Sequence, residues 1–367
     1  MVRRERSQSS DKKIRGENYD YMPTDLIHEI LSRLSEKSTA RLRCVSKLWR
    51  SIILSRLRLL FVLERANEEL FFFSSPLPQN PYEKSSSLVV TADFHMKFSP
   101  DMWPEFGGFT SSLIYSADHG KRKIYNINTG QYVALPELKR YRKHNSFFGF
   151  DPLDKQFKVL FMAYLTGPDD HRVLTLGTGK MKWRKIKCPL RHDPLCDHSI
   201  CINGVLYYIG EEDVVGGSYL IICFDVRSET FKFVEAECFR DPEATKLINY
   251  KGKLCGTDLT YNDSGAIVLY MWILEDVERK EWSTYVYTLP VNDICEKVVV
   301  VGMTSTGEIV LSEEYTSKRF YVFYFSPERN TFQRVEIRGP GEYCEAFEDD
   351  CRVYAFVDYV ANSKFIT

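Results

Sequence analysis

Phe224-Asp225-Val226-Arg227-Ser228-Glu229-Thr230-Phe231 ends one apolar run and opens the next, and the same phrase returns twice downstream. It recurs as Leu274-Glu275-Asp276-Val277-Glu278-Arg279-Lys280-Glu281-Trp282 and as Phe325-Ser326-Pro327-Glu328-Arg329-Asn330-Thr331-Phe332, with closing aromatics about 50 residues apart. Each copy is a polar turn between two strand-like stretches. A second element keeps the same spacing: Ile202-Asn203-Gly204-Val205-Leu206, Tyr250-Lys251-Gly252-Lys253-Leu254 and Ser305-Thr306-Gly307-Glu308-Ile309 each place a glycine at a tight turn before a strand. Every unit therefore holds at least two hairpins.

A period of about 50 residues with several strands per unit is the pattern of kelch-like β-propeller blades, none of which can bury its own faces alone. Upstream, Tyr125 to Tyr132, Phe150 to Phe157 and Leu176 to Trp183 repeat the hairpin at about half that interval. Dividing the region by the period predicts about six blades in a mainly antiparallel all-β domain. Val353-Tyr354-Ala355-Phe356-Val357 is expected to close the ring by pairing near Leu59 to Leu63. The alternative architecture is a β-sandwich.

Before about Leu59 the period is helical. Tyr21-Met22-Pro23-Thr24-Asp25 is a start signal, with Thr24 as cap and Asp25 on the positive end of the helix. Leu26, Ile27, Ile30, Leu31 and Leu34 then fall on one face, and His28, Glu29, Ser32 and Arg33 on the other. After Ser35-Glu36-Lys37-Ser38 a second stripe runs through Leu42, Val45, Leu48, Trp49, Ile52 and Ile53. Arg43, Lys47 and Arg50 lie opposite it and read as a solvated face. A unit of this size rarely buries enough surface to stand alone.

Composition narrows the function classes. The chain has 367 residues, 44% of them hydrophobic, with 49 Lys and Arg against 50 Asp and Glu. So even a balance creates no overall field to draw in nucleic acid or an acidic membrane. Met1 to Arg6 lacks the apolar segment of a secretory signal, and no run reaches the roughly 18 apolar residues of a membrane helix. The expectation is a soluble intracellular protein of nucleus or cytoplasm, with no membrane or nucleic-acid partner. Its 10 cysteines, mostly in apolar runs, read as reduced core thiols.

Met22-Pro23-Thr24-Asp25-Leu26-Ile27-His28-Glu29-Ile30-Leu31-Ser32-Arg33-Leu34, followed by Arg41-Leu42-Arg43-Cys44-Val45-Ser46-Lys47-Leu48-Trp49-Arg50-Ser51-Ile52-Ile53, resembles an F-box. The resemblance implies a three-helix hook that binds a Skp-type adaptor and, through it, a cullin and its RING subunit. By position in that motif, the resemblance implies that Pro23, Leu26, Ile27, Ile30, Leu31 and Leu34 face the adaptor, with Leu42, Val45, Ser46, Leu48 and Trp49 shared between that contact and the hook's own core. Met22, Ser35 and Thr39 depart from the usual residues, which is expected to weaken adaptor affinity rather than abolish it.

The β region is similar to the F-box-associated domain family, plant type 3. The matching phrases are Leu59-Leu60-Phe61 with Phe72-Phe73-Ser74-Ser75-Pro76, Phe148-Gly149-Phe150-Asp151-Pro152 with Lys158-Val159-Leu160, and Ile200 to Tyr208. Ile248 to Leu254 and Phe325 to Phe332 complete them. The weakest stretch is Phe94 to Arg122, where an irregular early blade is expected. The organisation read from these segments is a basic, disordered leader over 1–16, an F-box over 17–58 and an F-box-associated domain over 59–367: an α+β multidomain chain.

Searches for chemistry return little. Gly177-Thr178-Gly179-Lys180-Met181 lacks the spacer and the magnesium-binding hydroxyl of a phosphate loop, and reads as a hairpin turn. There is no Gly-x-Ser-x-Gly and no His-Glu-x-x-His. Cys188, His192, Cys196, His198 and Cys201 are soft donors in one segment, but match no paired zinc spacing. Aromatics at 14% read as strand packing, and Glu342 to Asp350 as an exposed acidic loop. No catalytic residue, cofactor or metal is expected. The resemblance implies a non-catalytic substrate adaptor of a Skp–cullin–F-box ubiquitin ligase, promoting ubiquitination and degradation of an unknown target protein. The alternatives are an adaptor-binding but ligase-inactive decoy and a ligand-binding propeller.

Overall fold

The computed structural model describes residues 57–360 apart from 67–68, 78–87, 99–104, 111–112, 119–120, 139–143, 164–169, 178, 180, 214–216, 264, 290–296, 317–318 and 341–349; before them it describes Leu26, Ile27, Ile30, Leu42, Val45, Trp49 and Ile52. The chain divides into two compact units, 1–52 and 53–367. In the first, Leu26, Ile27, Ile30, Leu42, Trp49 and Ile52 are helical and Val45 lies in a turn. The expected leader over 1–16 lies outside the described residues.

The second unit is a six-bladed propeller, so the sandwich alternative does not hold. The first blade uses β1 (Leu57–Glu64), β2 (Leu70–Pro76) and β4 (Asp93–Phe98), with β3 (Leu88–Thr91) leaving it for another sheet. The second blade is β5 (Glu105–Thr110), β6 (Leu113–Asp118), β7 (Lys121–Asn126) and β8 (Tyr132–Ala134). β9 (His144–Asp151), β10 (Gln156–Ala163), β11 (Arg172–Thr175) and β12 (Arg184–Lys185) form the third. The fourth is β13 (His192–Ile202), β14 (Val205–Glu212), β15 (Tyr219–Asp225) and β16 (Thr230–Glu235). In the fifth come β17 (Lys246–Tyr250), β18 (Lys253–Tyr261), β19 (Ile267–Asp276) and β20 (Glu281–Thr288), and in the sixth β21 (Val298–Met303), β22 (Ile309–Glu313), β23 (Phe320–Ser326) and β24 (Thr331–Arg338).

The last strand, β25 (Arg352–Val360), returns to the first blade as its innermost strand. Its antiparallel register on β1 sets Val353 against Leu63, Tyr354 against Val62, Ala355 against Phe61 and Phe356 against Leu60. The expected closure is therefore present with the expected partners. A second tie was not anticipated: β3 pairs in parallel with β24, Leu88 opposite Val335 and Val90 opposite Ile337, as a fifth strand of the sixth blade. The edge of β24 is covered by a segment from the other end of the domain.

Side chains alternate along each strand, so a central strand sends successive residues to opposite neighbours. From β1, Leu59, Phe61 and Leu63 pack with Val322 and Tyr324 of the sixth blade, whereas Leu60 and Val62 pack with Ile114 and Tyr125 of the second. Buried clusters of the same kind fill the other four gaps between blades. Burial on both faces explains why the strands read as unbroken apolar runs such as Leu220 to Phe224. At the closing gap, the rings of Phe61 and Phe320 meet edge to face at 5.6 Å.

The repeats are now explained. Asn203-Gly204 and Lys251-Gly252 are two-residue hairpin loops with φ of 51° and 86°, and 51° and 87°, the left-handed pair that a type I′ turn requires. The third copy differs: it is a five-residue loop from Thr304 to Glu308, closed by the Thr304 amide donating to the Glu308 carbonyl at 2.8 Å. In the Phe224 phrase, Asp225 Oδ1 accepts from the Ser228 amide at 2.7 Å, and Glu229 takes φ of 60°. Asp276 caps its own turn likewise, accepting from the amides of Glu278 and Arg279 at 2.8 and 3.0 Å.

The half-interval seen upstream arises because hairpins joining first to second and third to fourth strands all emerge at one end of the propeller. The second blade, which takes up most of the weakly matching stretch from Phe94 to Arg122, has its full four strands and a single bulge between Phe106 and Gly108. The irregularity sits beside it, in the departure of β3.

Closing the ring is expected to dominate stability. Phe61→Ala should lower the unfolding free energy by about 3–5 kcal/mol, as expected for a fully buried aromatic. Leu153→Ala, at an exposed turn, should change it by no more than about 0.5 kcal/mol. Urea denaturation of both variants, comparing midpoints, checks this.

Candidate functional site

The helical unit separates its apolar residues by exposure. Ile27 and Ile52 are buried, Ile30, Leu42 and Trp49 are half-buried, and Leu26 and Val45 remain 49% and 61% exposed. Among the expected adaptor-contact residues, Leu26 and Val45 thus present apolar surface and Ile27 does not. Pro23, Leu31, Leu34, Ser46 and Leu48 lie outside the described residues.

The two ends of the propeller axis differ in character. At the hairpin end, neighbouring blades are tied by charge. Lys158 of β10 and Glu229 of the next blade, both nearly buried, pair at 2.7 Å, and Arg184 joins the same carboxylate. Lys158 Nζ also donates to the Arg227 carbonyl at 3.3 Å. Arg227 and Asp154 pair at 3.2 Å, Lys251 and Glu328 at 2.6 Å, and Asn203 Nδ2 donates to the Gly252 carbonyl at 3.1 Å. The first hairpins of the third, fourth and fifth blades thus each hold the second hairpin, or the first, of the following blade. The exposed pairs contribute little; the buried Lys158–Glu229 pair matters because neither charge has water to replace its partner.

Burial alone would raise the Glu229 carboxyl, but the hydrogen bonds from Arg184 and Lys158 outweigh it and hold the group below its ordinary value. Its stabilising contribution is therefore present above the ordinary carboxylate pKa and fades as pH falls through the lowered one.

At the opposite end the first strands of the blades begin. Lys246 opens β17 and Arg352 opens β25, both exposed, while His198 lies on the irregular part of β13. Between Pro194 and Ser199 the register of β13 on β14 jumps, and His198 falls within that excursion. His198 precedes the last paired residue of its strand, Ile202, by four positions, as Lys246 precedes Tyr250. Lys246 foremost, then burial, then Arg352, hold the His198 imidazole down at about 4, so it is neutral at pH 7.

Of the soft donors singled out in the sequence, the side chain of Cys196 lies outside what the structure describes, and the others form no single site. His192 is buried, its Nε2 2.9 Å from the Tyr208 hydroxyl and its Nδ1 3.1 Å from the Leu190 carbonyl. Cys188 lies 3.9 Å from that Nδ1, but Cys201 turns to the Phe150 backbone, accepting from its amide at 3.3 Å. Among the described residues no group of three or more His, Cys, Asp or Glu could hold a metal ion. Cys223 and Cys255 are buried free thiols whose pKa burial raises, Cys223 to about 12. Gly177 and Gly179, with φ of 75° and 59°, form the loop between β11 and β12, with no helix following to receive a phosphate.

A model of the F-box-associated β-propeller domain matches residues 58–360, and an F-box domain model matches 20–61. The chain is an F-box protein of the F-box-associated β-propeller family. F-box protein At1g47340 of Arabidopsis thaliana is 46% identical over 372 residues, covering 92% of this chain and 80% of its own length. F-box protein At3g57590 of the same plant is 47% identical over 374 residues, covering 94% and 91%. A third relative bearing the F-box designation, At1g30925, is 50% identical over 358 residues, and this chain spans 64% of its length. The WD40 domain of SCAP from fission yeast aligns with 83% of the F-box protein and 96% of its own chain, at 10% identity and a TM-score of 0.38. No helix among the described residues is long and apolar enough to cross a membrane.

Two elements of this site escaped the sequence. The interblade ion pairs left one trace, the charged residues Glu229, Lys251 and Lys280 at left-handed turn positions where glycine or asparagine is usual. The charges of Lys246 and Arg352 that bear on His198 left none, since more than 150 residues separate His198 from Arg352.

Glu229→Gln is expected to cost about 3–5 kcal/mol at pH 7 by stranding Lys158. It should also flatten the loss of stability that begins below about pH 4.5 and continues as pH falls through the lowered pKa of the folded carboxylate. Thermal melts of both proteins between pH 3 and 7 read both effects. Treatment with a metal chelator should leave the wild-type melting temperature unchanged.

Proposed function

We propose that this F-box protein is the substrate-recognition subunit of a Skp–cullin–F-box ubiquitin ligase. The helical unit binds a Skp-type adaptor, which brings the cullin and its RING subunit, and the propeller holds the target protein. The observation that carries the reading is the presence on one chain of an F-box match over 20–61 and an F-box-associated propeller over 58–360.

The exposure pattern supports a division of labour in the helical unit. Leu26 and Val45, large apolar side chains left in water, are assigned to the adaptor contact, with Pro23, Leu31, Leu34, Ser46 and Leu48 placed there by the motif. Ile27 supports the contact from inside, and Ile30, Leu42 and Trp49 serve both. A non-catalytic role follows from how such a complex works: holding a target lysine near a charged conjugating enzyme raises its effective concentration, with no acid, base or nucleophile from the adaptor. Ubiquitination and degradation of the target would be the consequence.

Co-purification with a Skp-type adaptor tests this. The wild type should recover the adaptor, and cullin with it. Leu26→Asp combined with Val45→Asp should reduce recovery at least tenfold while the propeller's melting transition is unchanged. Recovery equal to that of the wild type would overturn the assignment.

A further inference from the structure

We infer that the outer edge of the fifth blade, strand β20, binds an extended segment of the target protein as a fifth strand, a segment of uncharged β-branched or aromatic residues around one acidic residue. An edge strand leaves a row of N–H and C=O groups unpaired, and folded proteins blunt such edges by keeping them short, charging them or covering them. Five of the six fourth strands here are treated in that way. β8 and β12 have three and two residues, and both residues of β12 are charged. β4 carries Asp93 and Lys97, and β16 carries Lys232 and Glu235. β24 is charged at Arg334, Glu336 and Arg338 and is covered over its second half by β3, itself only four residues long.

β20 is the exception. It has eight residues and no charge from Trp282 to Thr288. Its register on β19 is unbroken from Thr288 opposite Val268 to Trp282 opposite Leu274, and among the described residues no strand lies on its other side. Thr284, Tyr285 and Val286 are consecutive and all exposed, Tyr285 by 44% and Val286 by 53%. Because successive side chains point to opposite faces, water reaches both faces of the strand at its middle.

The surroundings of β20 indicate its occupant. The sixth blade already takes a fifth strand on the equivalent edge, the β-branched Leu88-Val89-Val90-Thr91. On the face toward the fourth blade, Val286 stands opposite Tyr270, whose ring stacks with that of Trp272 at 6.0 Å; Phe239 joins Trp272 to Trp282 at 5.3 and 5.4 Å. On the other face, Tyr285 precedes Tyr287, whose ring meets Phe325 of the sixth blade at 5.4 Å. These rings are packing surface for the alternate side chains of an added strand. Arg240, exposed, lies over the Tyr270 ring at 4.5 Å and has no carboxylate partner among the described residues. An acidic residue set beside Val286 would meet that guanidinium. A second copy of β20, uncharged from Trp282 to Thr288, would not, which favours a target segment over pairing between two copies of the chain.

This inference rests on the propeller being the target-holding half. Its test uses the full-length chain and a capped, fluorophore-labelled heptapeptide of alternating valine and threonine whose central threonine is replaced by glutamate. Fluorescence anisotropy should show saturable binding. Tyr285→Lys and Val286→Lys, at exposed positions where the melting temperature should not change, should each weaken it about tenfold or more, and Leu153→Lys, at an exposed turn of the third blade, by less than about twofold. Exchanging the peptide's glutamate for lysine should weaken binding to the wild type and restore it in Arg240→Glu. Methylating the peptide's backbone nitrogens at every second residue should abolish binding in one of the two alternations only, because a single edge of the added strand bonds to β20. No saturable binding, equal binding by wild type and both lysine variants, or indifference to both methylation patterns would overturn the inference. So would self-association of the wild type, seen by sedimentation equilibrium and lost in the lysine variants, which would give the edge to a second copy. Adaptor co-purification is scored separately: its failure with peptide binding intact would remove the ligase role and leave this edge as a binding site.

Discussion

The pairing of β25 with β1 is the contact on which the propeller depends. A blade whose central strands are apolar on both faces has no solvent side, so each must have a neighbour on either hand. Six blades meet that requirement only as a ring, and a ring built from one chain has a seam. Here the seam is closed within a sheet, by backbone hydrogen bonding of the last strand to the first, and packed by Phe61 against Phe320. The parallel strand β3 on β24 ties the same two blades again at the outer edge.

Closure of this kind leaves the two axial ends free to differ. Hairpins at one end are short, so their polar residues approach those of the next blade and form ion pairs, one of which is buried. The other end collects the starts of the first strands and longer connections, and there pairs such as Arg191 with Asp213 and Lys297 with Glu314 lie within a blade rather than between blades.

Much of the fold was legible because a repeat leaves the same physical signal several times. The Phe224 phrase marks an aspartate cap, a left-handed residue and a strand start; Asn203-Gly204 and Lys251-Gly252 mark type I′ loops. Closure was legible too, because Val353 to Val357 is an apolar strand with no blade of its own. β3 was not: Leu88 to Thr91 is a short β-branched stretch whose partner lies more than 240 residues away. Local pattern carries no information about so remote a pairing. For the helical unit, motif and periodicity placed the apolar stripe, and only burial separated Ile27 from Leu26 and Val45.

By itself the sequence determined the class of the domain, the number of blades and the family, since these rest on periodicity, turn chemistry and motif, all of which are local along the chain. Tertiary structure alone decided which residues meet: Lys158 with Glu229, Arg227 with Asp154, and β3 with β24. Each of those meetings joins residues far apart in sequence, and their positions follow from the curvature of the closed ring, which exists only when every blade is in place.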